Sequence, residues 1–131
     1  MKNPIIAGAI AGVISGIFGA TMVAVGYSIG LYGIPLAPMT VAVPVFILLT
    51  IIFGTVLGLI YGRFHSLILG NGLKKGLYFG LMIWFIKDIM AASYVILIME
   101  QIAVGINLIV VGLYLWILYG LVLEALYKPS K

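Results

Sequence analysis

The chain has 131 residues, 65% of them hydrophobic and only 8% charged, with a mean hydropathy of +1.34. A soluble domain carries about a quarter charged residues to cover its surface, so a water-soluble enzyme is excluded. Seven Lys and Arg against three Asp and Glu leave a formal charge of +4, too scattered for the clustered phosphate contacts of a nucleic-acid surface.

Cysteine is absent and His65 is the single histidine. Disulfides, thiolate metal sites, cysteine nucleophiles and bis-histidine haem ligation within one chain are thereby removed, and no cofactor or metal is expected. No G-x-S-x-G, H-E-x-x-H, paired catalytic carboxylates or phosphate loop occurs, so the expectation is a non-enzyme.

Crossing about 30 Å of hydrocarbon takes about 20 helical residues. Runs of that kind occupy residues 4–27, 43–62, 72–96 and 103–126. They are continuously apolar rather than alternating, which specifies helices and not a barrel. The prediction is an all-α membrane protein, residues 1–131 forming one four-helix transmembrane domain, multi-pass in the cell membrane with the lipid bilayer as its first partner.

In chain order, Lys2 precedes an apolar run that reaches Val25. That run exceeds the h-region of a signal peptide, so it reads as an uncleaved first span. Gly8, Gly12 and Gly16 lie on one face of it. Pro35, Pro38 and Pro44 then break the chain before the second span, in an apolar loop suited to the membrane surface. The second span carries Gly54, Gly58 and Gly62, and the third Gly72, Gly76 and Gly80. Glycines four apart let helix backbones approach closely, which matters where lipid supplies no hydrophobic drive for association. Three such faces exceed the evident needs of one bundle, which points to further packing against other integral membrane subunits or a second copy.

Lys2, Arg63, Lys74, Lys75, Lys128 and Lys131 all fall on one side of this four-span arrangement, while the opposite loops hold only Glu100. The positive-inside rule places both termini and the topogenic loop of Arg63, Lys74 and Lys75 in the cytoplasm.

A second pattern underlies the hydropathy. Gly8, Gly12 and Gly16 match Gly72, Gly76 and Gly80 at an offset of 64, while GTVLGLIYG from Gly54 matches GLYLWILYG from Gly112 at an offset of 58. The pattern reads as a duplicated helical hairpin, a parallel repeat.

The most informative residues are Lys87 and Asp88. With hydrocarbon beginning near Gly76, Lys87 lies about 16 Å in, where an ionisable residue costs about 2.5–3.5 kcal/mol on insertion scales. At about 100° per residue Lys87 points with Gly76 and Gly80 into the close-packed face, and Asp88 turns away from it. Three placements fit: an early span end with both residues at the outer interface, a buried polar contact with Glu100, a carbonyl or a partner's acid, or a proton or ion relay.

Elsewhere, His65 reads as an interfacial residue beside Arg63, and Glu124 pairs with Lys128 one turn on. Trp84 and Trp116 fall inside spans, and the methionines are dispersed gap fillers. The first span has no acidic residue, unlike small multidrug transporters, and nothing matches the Asn- and Phe-rich track of fluoride channels. The stretch GLIYGRFHSLILGNGLKKGLYFGLMIWFI resembles small glycine-rich prokaryotic membrane proteins of uncharacterised function. That resemblance covers about a quarter of the chain and implies no activity. The leading expectation is a non-catalytic subunit that helps assemble a larger membrane complex, such as a respiratory one. The alternative is a homo-oligomeric channel or transporter for a small solute or ion, using Lys87 and Asp88.

Overall fold

A computed structural model of the protein describes residues 3–30 and 38–128. These residues form α1 (Pro4–Ser28), α2 (Met39–Phe64), a 3-10 turn (His65–Leu67), α3 (Leu73–Trp84), a π-helical turn (Phe85–Ile89), α4 (Met90–Leu97) and α5 (Ile102–Leu126), with no strand among them. α3, the π turn and α4 make one continuous span, Leu73–Leu97. The protein thus has four helices long and apolar enough to cross a membrane, and the third does not end early at Lys87.

Local chemistry sets the helix starts. The Asn3 side chain accepts hydrogen bonds from the backbone N–H of Ile5 and Ile6 at 2.9 and 3.3 Å, and Pro4 takes the first helical position, where its missing N–H costs nothing. α2 begins at Met39 rather than Val43, so Pro44 lies inside the helix instead of ahead of it. Near a helix start a proline forfeits a single intrahelical bond, which membrane helices tolerate. The expected surface loop around Pro35 falls in residues 31–37, outside the described residues, as do Lys2 and Lys131. Gly72 ends the basic loop at φ +57°, the left-handed region open to glycine, and a Cβ there would meet nothing within 4 Å. Gly72 therefore launches α3 and does not extend its packing face.

α1 and α5 are the most buried spans, flanked by α2 and by the third span respectively. Backbones meet directly in both pairs. A Cβ on Gly8 would collide with the Gly54 carbonyl oxygen and lie 2.7 Å from Gly58 Cα, and one on Gly12 would lie 2.8 Å from the Thr50 oxygen and 3.1 Å from Ile51 Cα. On the other side, Gly76 meets the Gly120 oxygen and Glu124 Cβ, while Gly80 meets the Trp116 oxygen and Ile117 Cα. These contacts correspond one to one at an offset of 68 for the first helix of each pair (Gly8 to Gly76, Gly12 to Gly80) and 66 for the second (Gly54 to Gly120, Thr50 to Trp116). The glycine spacing of the sequence instead aligns Gly12 with Gly76, because a four-residue repeat matches itself equally well one turn out of register.

Gly62 packs on the Pro4 ring, and Gly16 lies 3.2 Å, as a Cβ, from Thr50 Cβ. The small-residue faces of α1, α2 and α3 are consequently filled within the chain. Between the pairs, the core joins Ala7, Ala11, Tyr61, Phe79, Leu115, Trp116, Tyr119 and Leu123. Leu48, Ile52, Val56 and Leu59 of α2 face outward, as lipid contact requires. Tyr119 is fully buried and donates to the Gly54 carbonyl oxygen of α2 at 2.5 Å. Tyr119→Phe is expected to lower stability in lipid by about 0.5–1.5 kcal/mol, measured as a shift in unfolding free energy. No shift would mean that this bond contributes nothing to joining the pairs.

Candidate functional site

The third span changes winding where its charges lie. The π turn over Phe85–Ile89 accommodates one extra residue, and such bulges recur at functional sites. The added residue rotates the helix face by about 100°. Asp88 therefore takes the inward direction that regular winding gives to Lys87, and the predicted roles are exchanged. The Asp88 side chain is 5% exposed and that of Lys87 45%.

The two residues, predicted to face apart, are partners: Lys87 Nζ donates to Asp88 Oδ1 at 3.3 Å. The long lysine stem, leaving a widened turn, curls back to reach its neighbour. Its ammonium also lies 5.2 Å from the centroid of the Trp116 ring, within range of the negative face of the indole. Glu100 is exposed, in the turn between α4 and α5, and is not the partner of Lys87.

Asp88 Oδ2 is buried and has no hydrogen-bond partner among the described residues. The carboxyl group presses on α5 where Gly112 has no side chain, since a Cβ there would overlap it, and the Trp116 indole flanks it. A buried polar oxygen left unpaired forfeits hydration without recompense. Asp88 borders a cavity of about 770 Å³ lined by α1, α2, α5 and the π turn and open along part of its boundary. Phe46, Phe53 and Trp116 make apolar wall, Thr50 contributes a hydroxyl that donates to the Phe46 carbonyl oxygen, and Gln101 and Asn107 add polar groups toward the α4–α5 end. The volume falls in the range of small-molecule sites, about 300–1,000 Å³.

A second polar cluster lies at the opposite end of the bundle. Glu124 of α5 is buried and accepts from the Tyr61 hydroxyl of α2, while His65 Nε2–H donates to the same carboxylate oxygen at 3.1 Å. The His65 ring makes edge contacts with Tyr61 and Tyr127, centroids 5.1 and 5.5 Å away. Glu124 is thus an inward residue and not the surface partner of Lys128, which lies exposed beyond the end of α5. His65 is likewise an inward ligand of a carboxylate. The signal for both was present in spacing: Gly112, Trp116, Gly120 and Glu124 recur every four residues, as do Tyr61 and His65.

Of the basic loop, Lys75 donates through Nζ to the carbonyl oxygens of His65 and Ile68 at 2.7 and 2.8 Å. Arg63 lies in the last turn of α2 and Lys74 in the first turn of α3, so all three basic residues sit at the Glu124 end. Among the described residues no group of three His, Cys, Asp or Glu is placed to hold a metal ion. Neither family models, curated proteins nor solved structures give a match to the chain.

Proposed function

We propose that the protein is a multi-pass transporter or channel of the cell membrane for a small solute, which binds in the cavity and meets Asp88 and Lys87 at its inner end. The observation that carries this is the buried, unpaired Asp88 oxygen bordering a cavity at mid-span. An ionisable side chain at such depth costs stability, and a carboxyl group inside a span facing a cavity supports a solute path over a packing role. The π turn supports the same assignment, because regular winding leaves Asp88 facing elsewhere.

In the proposed orientation the Arg63, Lys74 and Lys75 end and both termini are cytoplasmic, and the Tyr27 and Gln101 end of the cavity faces outward. The two helix pairs descend from a duplicated hairpin, supported by their matching contacts. The protein performs binding and translocation without catalysis.

The test is flux through liposomes that contain only the purified chain, across a panel of small cations, zwitterions and anions. Asp88→Asn is expected to reduce flux by about tenfold or more, the loss of one charge-assisted contact. A silent protein that instead co-purifies in fixed ratio with another integral membrane protein would replace this function with the accessory-subunit role. That role draws on the half-exposed ammonium of Lys87 at mid-span, which a partner's acid would satisfy.

A further inference from the structure

We propose that the solute class is organic cations, with the Asp88 carboxylate as the counter-charge and Lys87 as a tethered occupant that the solute displaces. This rests on the cavity being a solute site and adds the sign and chemistry of what it takes. The Lys87 ammonium already shows what the inner end accepts: it lies 3.3 Å from Asp88 Oδ1 and 5.2 Å from the Trp116 ring centroid. A carboxylate beside an aromatic face is the pairing that holds ammonium groups. Phe53 adds a second aromatic wall, its ring centroid 6.4 Å from that of Trp116.

The pairing is incomplete as it stands: Asp88 Oδ2 has no donor in full hydrogen-bonding geometry, and the Trp116 indole N–H only approaches the carboxyl group. Lys87 reaches the carboxyl group from outside, with its side chain 45% exposed, whereas Asp88 is fixed at 5%. The lysine is therefore the member that moves. When its stem swings along the cavity toward the Gln101 end, Asp88 is left as the group a solute meets, since Lys87 is the one cation and Asp88 the one acid among the described lining residues. An anion entering the same space would have to sit beside that carboxylate with no second cation to hold it.

Chemistry also separates an organic cation from an inorganic one. A bare metal ion needs several oxygen ligands gathered around it, whereas this cavity offers one carboxylate within largely apolar walls. A cation carrying apolar substituents fits both parts.

The experiment measures equilibrium binding of tetraphenylphosphonium to the purified chain in lipid nanodiscs, with empty nanodiscs subtracted. Tetraphenylborate, of the same shape and opposite sign, and a zwitterionic amino acid with an aromatic side chain serve as comparison probes. The expected result is saturable binding of the phosphonium alone, weakened about tenfold or more by Asp88→Asn. Lys87→Met is expected to tighten it about three- to tenfold, because the variant removes the competitor and raises the binding-competent fraction. Comparison of the three probes on the unaltered chain tests the proposal even where Asp88→Asn, or Lys87→Met with its stranded carboxyl group, folds poorly. Weaker cation binding in Lys87→Met, or saturable binding of the borate or zwitterion that needs Lys87, overturns the cation assignment and leaves a solute site standing. No saturable binding by any of the three probes overturns both.

Discussion

Gly76→Ala and Gly120→Ala are each expected to destabilise the protein in lipid by about 1–3 kcal/mol, while Gly16→Ala stays within about 1 kcal/mol of the parent. All three substitutions gain similar helix propensity, about 1 kcal/mol for replacing glycine, so the difference must come from what the new methyl meets. At Gly120 it would run into the Gly76 carbonyl oxygen, with Gly76 C at 2.9 Å and Gly80 N at 3.1 Å. At Gly76 it would strike the Gly120 carbonyl oxygen, with Glu124 Cβ at 2.8 Å. Backbone cannot turn aside as a side chain does, so α3 and α5 must separate along their length. At Gly16 the nearest atom is Thr50 Cβ at 3.2 Å, with Ile47 Cα at 3.5 Å, and a local shift of a few tenths of an ångström relieves it. The double variant Gly76→Ala/Gly120→Ala should cost less than the sum of its parts, because the first methyl already opens the gap that the second needs. Unfolding free energies measured in bicelles decide it. If all three single variants behave alike, the α3 and α5 backbones are not in contact.

The same glycines show how far the sequence reaches. Four apolar runs predicted four spans, and the described residues form four helices long and apolar enough to cross a membrane, because in hydrocarbon a helix is the one local solution to backbone hydrogen bonding available to a continuous run. Pairing register is less legible, since a face that repeats every four residues offers several alignments and only side chains beyond the repeat choose between them. Gly72 shares the spacing of Gly76 and Gly80, yet its positive φ places it in the turn. Lys87 and Asp88 stood out in the sequence as the charges in the wrong place, and they border the cavity. Which of them faces inward depended on one widened turn, to which a fixed 100° per residue is blind. The Glu124 cluster was obscured for another reason. A carboxylate four residues before a lysine at a span end fits an ordinary surface pair, and the four-residue series from Gly112 to Glu124 had to be weighed against it.

Leu substituted for Glu124 is expected to cost about 1–3 kcal/mol, because Tyr61, which is fully buried, and His65 both lose the acceptor they share. Tyr61→Phe should cost as much or more, since it leaves a carboxylate that is 9% exposed with His65 as its remaining hydrogen-bond donor among the described residues. The double variant Tyr61→Phe/Glu124→Leu separates two accounts of the cluster. If the hydroxyl and the carboxylate stabilise α2 against α5 chiefly by satisfying each other, removing both leaves no stranded group, and the double variant should be more stable than the sum of the single losses by about 1–3 kcal/mol. If each instead acts through packing, Tyr61 on Phe79 at 4.8 Å between ring centroids and Glu124 against Gly76, the losses should add. The first outcome is expected, because leucine and phenylalanine retain most of the buried volume and the hydrogen bond is what they lack. His65→Phe provides the internal control. It keeps an aromatic ring between Tyr61 and Tyr127 and deletes the weaker of the two donors, so its cost should fall below that of Tyr61→Phe.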